Sequence, residues 1–309
     1  MTGSAQPARA GRMGFVGVST ASSSIMRIFP VWAEILGLPT STLDGHDLPL
    51  DAPPERYRDL VAQIRDDPTH RGALVTTHKM RLYDAASDLF DELDAFATAC
   101  GEVSSISKRG GRLLGHAKDP ITAGLALDEL WPSDGFGGER DAVVLGAGGA
   151  GLALTWCLAE RDDLPRRIRV TDTSRERLDH LAAVHAARGT DGALLELVVA
   201  NPDTTAAALA AAPPGSLVVN ATGLGKDRPG SPVPDGVPFP EGARVWEFNY
   251  RGSLELLAQA RAQHERGVTA ADGWGYFIHG WTQVIGEVFD IAMTPEVVAR
   301  LATAAERFR

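Results

Sequence analysis

The sequence predicts an α/β protein with two domains and mostly parallel sheets. Short apolar runs alternate with longer helical patterns, which is typical of parallel sheets covered by helices. A glycine-rich turn, GAGGAG, follows the apolar run AVVL near the middle of the chain. The last stretch, Asp272 to Phe308, has helical spacing and no further strand pattern, so we expect it to pack back onto the first domain.

The first half of the chain contains three strand-helix pairs followed by a hairpin. The pairs are MGFVGVS with Ile25 to Leu38, Ser41 to Leu48 with Pro54 to Asp66, and GALVTT with Met80 to Phe96. Gly110 and Gly111 separate VSSISKR from RLLGHAK, and adjacent glycines suit the positive φ angles of a tight hairpin turn. A helix pattern follows from Ile121 to Leu130. Pro120 is compatible with its start, because a proline in the first helical turn costs no hydrogen bond.

The second half begins after the Pro/Gly/Asp-rich connection WPSDGFGGERD. Its strand patterns are DAVVL, RRIRVTD, LLELVVA and GSLVVNA, with helices after the glycine turn and from Ser174 to Ala187. We therefore expect a flexible tail over 1–12, a first domain over 13–122 and 271–309, and a second domain over 123–270.

Composition and charge limit the partners. The 309 residues carry a net charge of -10 and are 44% hydrophobic, which excludes a disordered chain and disfavours nucleic acid as a partner. Two uncharged stretches, 142–159 and 204–225, are not apolar enough to span a membrane, because the first contains four glycines and the second contains two prolines and an asparagine. Cys100 and Cys157 have no metal-ligand spacing, which favours reduced thiols in a cytoplasmic protein. We expect a monomer or homodimer that binds a small-molecule substrate.

The glycine turn has the G-x-G-x-x-G spacing of a Rossmann-type dinucleotide-binding domain, with the pyrophosphate at the start of a helix. Asp172 ends the next strand, 21 residues beyond Gly151, where a carboxylate binds ribose hydroxyls and repels a 2'-phosphate. NAD is therefore expected rather than NADP, and Arg175 is the residue that could reverse this preference. The cofactor-binding residues predicted from this pattern are Gly146, Gly148, Gly149, Ala150, Gly151 and Asp172.

A lysine and an aspartate indicate chemistry in the first domain. Lys79 follows the apolar run ALV and the pair Thr76-Thr77, at the end of a strand where α/β sheets bind ligands. Asp119 follows the second strand of the hairpin. In one cleft, the lysine would move the hydroxyl proton while hydride leaves a carbinol carbon, and the carboxylate would orient the lysine.

Six motifs in order, VTTHK, GEVSSISK, GRLLGHAKD, GAGGAG, NATGLG and DGWG, resemble the shikimate/quinate dehydrogenase family from about Met13 to Phe289. The resemblance implies that an N-terminal α/β substrate-binding domain precedes the Rossmann-type domain, that Lys79 is the catalytic lysine, and that Asp119 is its partner. It assigns the substrate carboxylate to Ser22 and Ser24. The remaining implied positions are Thr76 and Tyr250 near the substrate, Asn220 and Thr222 at the cofactor edge, and Gly275 near nicotinamide.

The sequence also departs from the family. Leu74, Ser104 and Ala117 stand where shikimate-specific members place asparagines that bind ring hydroxyls, and Gly280 falls near the family glutamine. VTTHK is one residue shorter than the family spacing. We therefore expect a cyclic polyol acid or cyclitol other than plain shikimate as substrate, with Ser104 still in contact with it.

Several alternatives remain open. A nucleotide-sensing module that kept the fold and lost the reaction is the main competitor to an enzyme, and a dehydrogenase of one-carbon folates is a third reading that the serines and Asp119 disfavour. Lys118 either favours an anionic substrate or is a surface residue. His78 is expected to position Lys79, and His116 and His279 to be pocket or surface residues. No ligand spacing predicts a metal.

Overall fold

A computed structural model describes residues 11–131, 135–226 and 228–309. The chain divides into two compact units, one that runs to Lys118 and includes Gly280–Arg309, and one formed by Asp119–His279. Each contains a six-stranded sheet with helices, which confirms the predicted fold class. The divisions fall at 118/119 and 279/280 instead of the expected 122/123 and 270/271. Residues 1–10 of the expected tail and 132–134 of the connection lie outside the described residues.

The sheet of the first unit has the order β2-β1-β3-β5-β6-β4. Its strands are β1 (Arg12–Gly17), β2 (Leu43–Asp47), β3 (His70–Val75), β4 (Glu92–Leu93), β5 (Ser105–Arg109) and β6 (Arg112–His116). β1 pairs in parallel with β2 and β3, while β5 is antiparallel to both β3 and β6. β6 therefore runs in the direction of β1 and β3, and the carboxyl ends of all three lie at one edge of this sheet.

The sheet of the second unit is entirely parallel, with the order β12-β11-β10-β7-β8-β9. Its strands are β7 (Asp141–Leu145), β8 (Arg167–Asp172), β9 (Leu195–Val199), β10 (Leu217–Asn220), β11 (Arg244–Glu247) and β12 (Thr269–Ala271). The chain winds outward from β7 through β8 and β9, and then in the opposite direction from β10. The strand order reverses between β7 and β10, which is where open α/β sheets bind ligands.

Eleven α-helices are found in the described ranges. They are α1 (Ile25–Leu36), α2 (Pro54–Asp66), α3 (Lys79–Ala86), α4 (Ala95–Cys100), α5 (Asp119–Leu130), α6 (Gly149–Ala159), α7 (Arg175–Ala187), α8 (Pro202–Ala210), α9 (Glu255–Arg261), α10 (Trp274–Phe289) and α11 (Pro295–Ala305). α10 begins in the second unit and ends in the first. The Trp32 indole N–H in α1 donates to the Leu301 carbonyl in α11 at 2.8 Å, so the end of the chain packs on the first unit, as expected.

Each unit has its own apolar core. In the first, Val16, Val75 and Ile106 of the sheet pack with side chains of α2 and α3 such as Ile64 and Leu82. The second core includes buried residues of β7, β10 and β11 together with the apolar side of α9. None of the helices in the described ranges is long and apolar enough to cross a membrane.

Two expectations about the first unit are wrong. The pattern from Met80 to Phe96 is not one helix, because β4 pairs with β6 and the Asp94 carboxylate starts α4 by accepting the Ala97 N–H at 2.6 Å. Arg12 does not belong to the tail. Its guanidinium pairs with Asp44 and Asp67, which fixes it as the first residue of β1.

Candidate active site

The glycine turn of the second unit lies at the point where the strand order reverses. Gly146 follows β7 with a φ of +112°, and a Cβ there would come within 2.8 Å of the Ala221 backbone. A Cβ on Gly151 would lie 2.0 Å from the Gly146 carbonyl oxygen. Both positions therefore require glycine, one for the close approach of the β10 loop and the other for packing of α6 against the turn.

The remaining residues of the turn form the start of α6. Gly148 is the N-cap, and Gly149 and Ala150 are the first two helical residues. Apart from its chain neighbours, no heavy atom of the described residues lies within 4 Å of a Cβ built on Gly148. This backbone is open to a ligand, and a helix N-terminus stabilises the negative charge of a phosphate.

Asp172 is buried at the carboxyl end of β8. Its Oδ2 accepts the Ala147 N–H and its Oδ1 accepts the Ser174 N–H, each at 2.8 Å. The first bond fixes the carboxylate to the glycine turn. Asp172, the residue predicted to bind the ribose, therefore also holds the glycine turn in place.

The arginine nearest to this carboxylate differs from the one that the sequence indicated. Arg177 Nη1 lies 3.8 Å from Asp172 Oδ2, whereas Arg175 pairs with Asp179 at 2.9 Å. Arg177 occupies the first turn of α7, where the Ser174 side chain caps the helix by accepting the Arg177 N–H. The available signal was a serine three residues before this arginine. The cap brings the third helical residue back toward the end of β8.

Asn220 and Thr222 belong to a loop held by buried amides and a carboxylate. Asn220 Oδ1 accepts the Thr222 N–H at 3.0 Å and the Thr222 hydroxyl at 2.7 Å. Asn220 Nδ2 donates to Glu247 Oε2 at 2.7 Å and to the Leu224 carbonyl at 3.1 Å. Asn249 donates from Nδ2 to the same carbonyl at 3.0 Å.

Glu247 holds this loop and was missed by sequence reasoning. It is fully buried at the end of β11, where Oε1 accepts the N–H and the Nδ2 of Asn249 at 2.8 and 2.6 Å. Burial raises the pKa of Glu247, although the hydrogen bonds from Asn249 and Asn220 act in the opposite direction. The available signal was a carboxylate directly after the apolar pair Val245-Trp246, at the end of a strand.

Tyr250 and Gly275 lie in the second unit. The Tyr250 ring packs against Trp274 and Phe277 with centroids 5.5 and 4.5 Å away. A Cβ on Gly275 would come within 3.3 Å of Glu129 Oε2, and the other oxygen of Glu129 lies 2.9 Å from His279 Nε2. The first turns of α10 are therefore fixed to α5 by a histidine-carboxylate contact.

The predicted substrate anchors follow two neighbouring strands of the first unit. Ser22 is exposed in the loop after β1, where its hydroxyl donates to the Ser19 carbonyl at 3.1 Å, and Ser24 is the N-cap of α1. Thr76 follows β3, and its hydroxyl donates to the Val16 carbonyl of β1 at 3.1 Å. Because β1 and β3 are adjacent and parallel, the structure places these residues at the same sheet edge.

Lys79 is the half-buried first residue of α3. Its N–H donates to the Thr76 carbonyl at 3.3 Å, and its carbonyl accepts the Val103 N–H at 3.2 Å. The lysine that the sequence singled out is thus attached through its backbone to the loops after β3 and before β5.

His78 precedes Lys79 and is fully buried. Its Nε2 lies 2.9 Å from the Leu48 carbonyl, and its Nδ1 lies 2.9 Å from the Tyr57 hydroxyl. A carbonyl can only accept, so Nε2 carries the proton and Nδ1 accepts from Tyr57. Burial lowers the pKa of His78, which favours this neutral form.

Ser104 uses its hydroxyl within the protein. It accepts the Lys118 N–H at 2.7 Å and lies 3.4 Å from the His116 carbonyl, to which it donates. Leu74 and Ala117, the other two positions at which the sequence lacks asparagine, are buried. Asp119 is the buried first residue of α5.

The chemistry of these residues suits an organic cofactor and a proton-transferring lysine. No group of three or more His, Cys, Asp or Glu side chains in the described ranges could hold a metal ion. The second unit offers an exposed helix N-terminus, a carboxylate at the next strand end and a hydrogen-bonded loop across the turn. We call these three features the nucleotide edge. They fit a dinucleotide that lies along the carboxyl ends of the strands.

Comparisons with known proteins identify relatives of this chain. No family model matches the chain. A shikimate dehydrogenase (NADP(+)) of Methylobacterium radiotolerans is 34% identical over 272 residues, which cover 85% of this chain and 86% of that protein.

Two solved structures show the same fold. The quinate dehydrogenase from Corynebacterium glutamicum in complex with NAD superposes with a TM-score of 0.74 at 21% identity, covering 96% of this chain and 98% of that one. The ligand-free 5-ketofructose reductase of Gluconobacter sp. strain CHM43 gives 0.68 at 18% identity, over 97% and 99% of the two chains. From the fold, the preformed nucleotide edge and the identity with the curated relative, we conclude that this chain belongs to the shikimate dehydrogenase family.

Proposed function

We propose that this protein transfers hydride between a nicotinamide cofactor and a secondary hydroxyl or ketone of a cyclic polyol acid or cyclitol other than plain shikimate. As a member of its family, the chain is an NAD(P)-dependent oxidoreductase that acts on CH–OH groups. The observation that carries the proposal is the preformed nucleotide edge, where the loop after β10 leaves no room for a Cβ on Gly146 and Asp172 fixes the glycine turn.

The proposed roles of the substrate-site residues follow from their chemistry, with Asp119 as the first residue of the second unit and the others in the first unit. When bound, NAD(P) supplies the hydride acceptor or donor. Lys79, as the neutral amine, takes the proton from the substrate hydroxyl during oxidation and returns it during reduction. Asp119 orients the ammonium form by accepting one of its hydrogen bonds. Ser22, Ser24 and Thr76 bind the oxygens of the substrate.

The proposed departure from shikimate rests on lost hydrogen-bonding capacity. Leu74 and Ala117 have no polar side-chain atoms, and the Ser104 hydroxyl already accepts from Lys118 N–H and donates to the His116 carbonyl. A ring hydroxyl placed there would lose its hydrogen bonds to water and gain few in return, which costs about 1 to 3 kcal/mol for each unsatisfied group. The fold itself does not decide the substrate, because a 5-ketofructose reductase has it as well.

The proposed cofactor preference is NAD, as expected from Asp172. A carboxylate at this strand end repels a 2'-phosphate, and the nearby Arg177 offsets part of that repulsion. The curated relative is named for NADP(+), so this preference is a point of proposed difference. Asp172→Asn should raise the NADP to NAD ratio of kcat/KM by about tenfold, and Arg177→Gln should lower it. Arg175→Gln is the control, since Arg175 pairs with Asp179.

The first experiment is an absorbance assay of NADH or NADPH formation. The purified protein is given shikimate, quinate, amino-substituted analogues and neutral cyclitols, with Lys79→Ala in parallel. Turnover of a ring other than shikimate, lost in the lysine variant, supports the proposal. Efficient turnover of shikimate would overturn the proposed substrate difference.

Two further outcomes address the competing function. If both cofactors bind, as measured by calorimetry, and no substrate in the panel turns over, a nucleotide-sensing module becomes the favoured hypothesis in place of an enzyme. An active Lys79→Ala protein would instead keep the enzyme and remove Lys79 from its catalytic role.

A further inference from the structure

Lys118 is one half of a buried ion pair in the first unit. Its Nζ lies 2.7 Å from Glu287 Oε2, and the two side chains are 14% and 13% exposed. Glu287 is contributed by the last turn of α10, 169 residues further along the chain. A lysine held in this way is not a solvated surface charge, nor is its ammonium group directed to solution.

Other polar groups surround the Glu287 carboxylate and keep it ionised. Oε1 lies 3.0 Å from Arg109 Nη2 and 3.3 Å from His116 Nε2. The other ring nitrogen of His116 lies 3.5 Å from Asp94. Burial opposes ionisation, but the hydrogen bond from Lys118 and the charges of His116, Lys118 and Arg109 lower the pKa of Glu287.

The backbone on either side of Lys118 is also fixed. The Lys118 N–H donates to Ser104 Oγ at 2.7 Å, and the Ala117 N–H donates to Asp94 Oδ1 at 3.2 Å. The His116 carbonyl accepts the Ser104 N–H at 2.9 Å. The segment 116–118 is therefore held by three separate elements of the first unit: α10, the start of α4, and the residue before β5.

We infer that the Lys118–Glu287 ion pair is a positioning device for Asp119, the next residue in the chain, and that Lys118 does not bind substrate. The inference rests on the proposed function, in which Asp119 orients Lys79. A carboxylate that directs a proton-transferring lysine must be placed within a few tenths of an ångström, and such placement depends on neighbours that are themselves locked. Lys118 anchors the peptide that precedes Asp119, while Ser104 and Asp94 prevent it from rotating.

The kinetic test uses four variants of the full chain. Lys118→Met removes the ion pair and keeps most of the side-chain volume, Glu287→Gln removes the partner's charge, and Lys118→Arg restores the cation. Arg109→Met is the matched control, because it removes another cation at 3.0 Å from the same carboxylate, on a strand end away from Asp119.

We expect kcat to fall about tenfold or more in Lys118→Met and Glu287→Gln, with the substrate KM within about twofold of wild type. In Lys118→Arg, kcat should recover in part. In Arg109→Met, kcat should change little. A rise in KM at unchanged kcat in Lys118→Met would make Lys118 a substrate anchor and overturn the inference. An equal loss of kcat in Arg109→Met would also overturn the inference, because the loss would then follow from removing any cation beside Glu287 and not from releasing the peptide before Asp119.

A second measurement does not depend on turnover. Amide hydrogen exchange at residues 117 and 118 should accelerate about tenfold in Lys118→Met and remain unchanged in Arg109→Met. Unchanged exchange in Lys118→Met would overturn the inference even if the enzyme is active. Accelerated exchange in a protein without turnover on any substrate would keep the positioning role of the pair and count against the proposed function alone.

Discussion

In the second unit the candidate residues around the glycine turn are fixed to neighbouring backbone, whereas in the first unit the candidate side chains come from loops that follow different strands. A Cβ on Gly146 would clash with the Ala221 backbone, and Asp172 accepts the Ala147 N–H. Ser22 and Lys79 instead belong to different loops of the first unit. A site made by backbone geometry changes little when side chains are exchanged, while a site made by side chains can keep its fold and change its substrate.

The largest expected effect is the loss of chemistry without loss of cofactor binding. Lys79→Met should lower kcat by about 10²- to 10⁴-fold, because it removes the proposed proton-transferring group. The dissociation constant for NAD(P), measured by calorimetry, should stay within about twofold of wild type, since the nucleotide edge is built within the second unit.

A second lysine of the same unit serves as control for this prediction. Lys108 donates to the carbonyls of Ile64, Arg65 and Asp67 at the end of α2, at 3.0, 2.8 and 2.8 Å. Lys108→Met should lower thermal stability and leave kcat near wild type. A Lys79→Met enzyme with kcat within about threefold of wild type would contradict a catalytic role for Lys79.

The next expected effect is in the second unit. It weakens cofactor binding and leaves the first unit intact. Gly146→Ala places a Cβ at 2.8 Å from the Ala221 backbone at a φ of +112°, so the turn must shift. A residue forced into such a conformation costs about 1 to 3 kcal/mol. We expect both a lower melting temperature and a cofactor dissociation constant at least about tenfold higher.

Gly148→Ala is the matched variant for that experiment. Its backbone has a φ of -75°, which alanine adopts freely, and its Cβ would enter the open space at the start of α6. The apo protein should keep its melting temperature, while cofactor binding weakens because the methyl group occupies the expected path of the pyrophosphate. Equal melting temperatures for all three proteins would contradict the close approach at Gly146.

The same contrast explains which features the sequence could predict. The helix Pro54–Asp66 and the hairpin at Gly110 and Gly111, with φ of +57° and +80°, follow from proline and glycine, whose backbone preferences are local. The two-residue strand Glu92–Leu93 and the three-residue strand Thr269–Ala271 are too short for periodicity to detect.

Residues that support the site were harder to find than residues within it. Glu247 acts on Asn220, 27 residues away, and Glu287 acts on Lys118, 169 residues away. Neither pairing leaves a local signal, because only the folded sheet brings the partners together. Arg177 was missed in favour of Arg175 because the cap at Ser174 determines which residue of the first turn faces Asp172.

A pH effect should affect both units in a similar way. His70 in the first unit and His185 in the second are buried, and burial lowers the pKa of each to about 4. The unfolded chain binds these protons near pH 6.5 and the folded chain does not, so stability is lost as the pH falls from about 6.5 toward 4. Each histidine should cost about 2 kcal/mol between about pH 7.5 and about pH 5.

Urea unfolding at these two pH values measures the effect. His70→Asn and His185→Asn should each reduce the difference in the free energy of unfolding between the two conditions by the contribution of one histidine. If only one variant does so, the two units differ in how tightly they exclude the proton. A pH dependence unchanged in both would assign acid sensitivity to other groups.

The smallest effect separates a structural cap from one that also supports the site. Asn201 Oδ1 accepts the Thr204 N–H and the Thr204 hydroxyl accepts the Asn201 N–H, both at 2.9 Å, which closes a capping box at the start of α8. Asn201→Ala should cost about 1 kcal/mol of stability and leave kcat unchanged.

Asp94 caps α4 in the first unit in the same way, but its Oδ1 also accepts the Ala117 N–H, two residues before Asp119. Asp94→Ala should therefore cost a similar amount of stability and in addition lower kcat, because it frees the segment that leads to Asp119. Chemical denaturation and steady-state kinetics on the two variants decide the point. Equal kcat values would show that the reaction tolerates movement of this segment, and that the Lys118–Glu287 ion pair and α5 position Asp119 without the Asp94 contact.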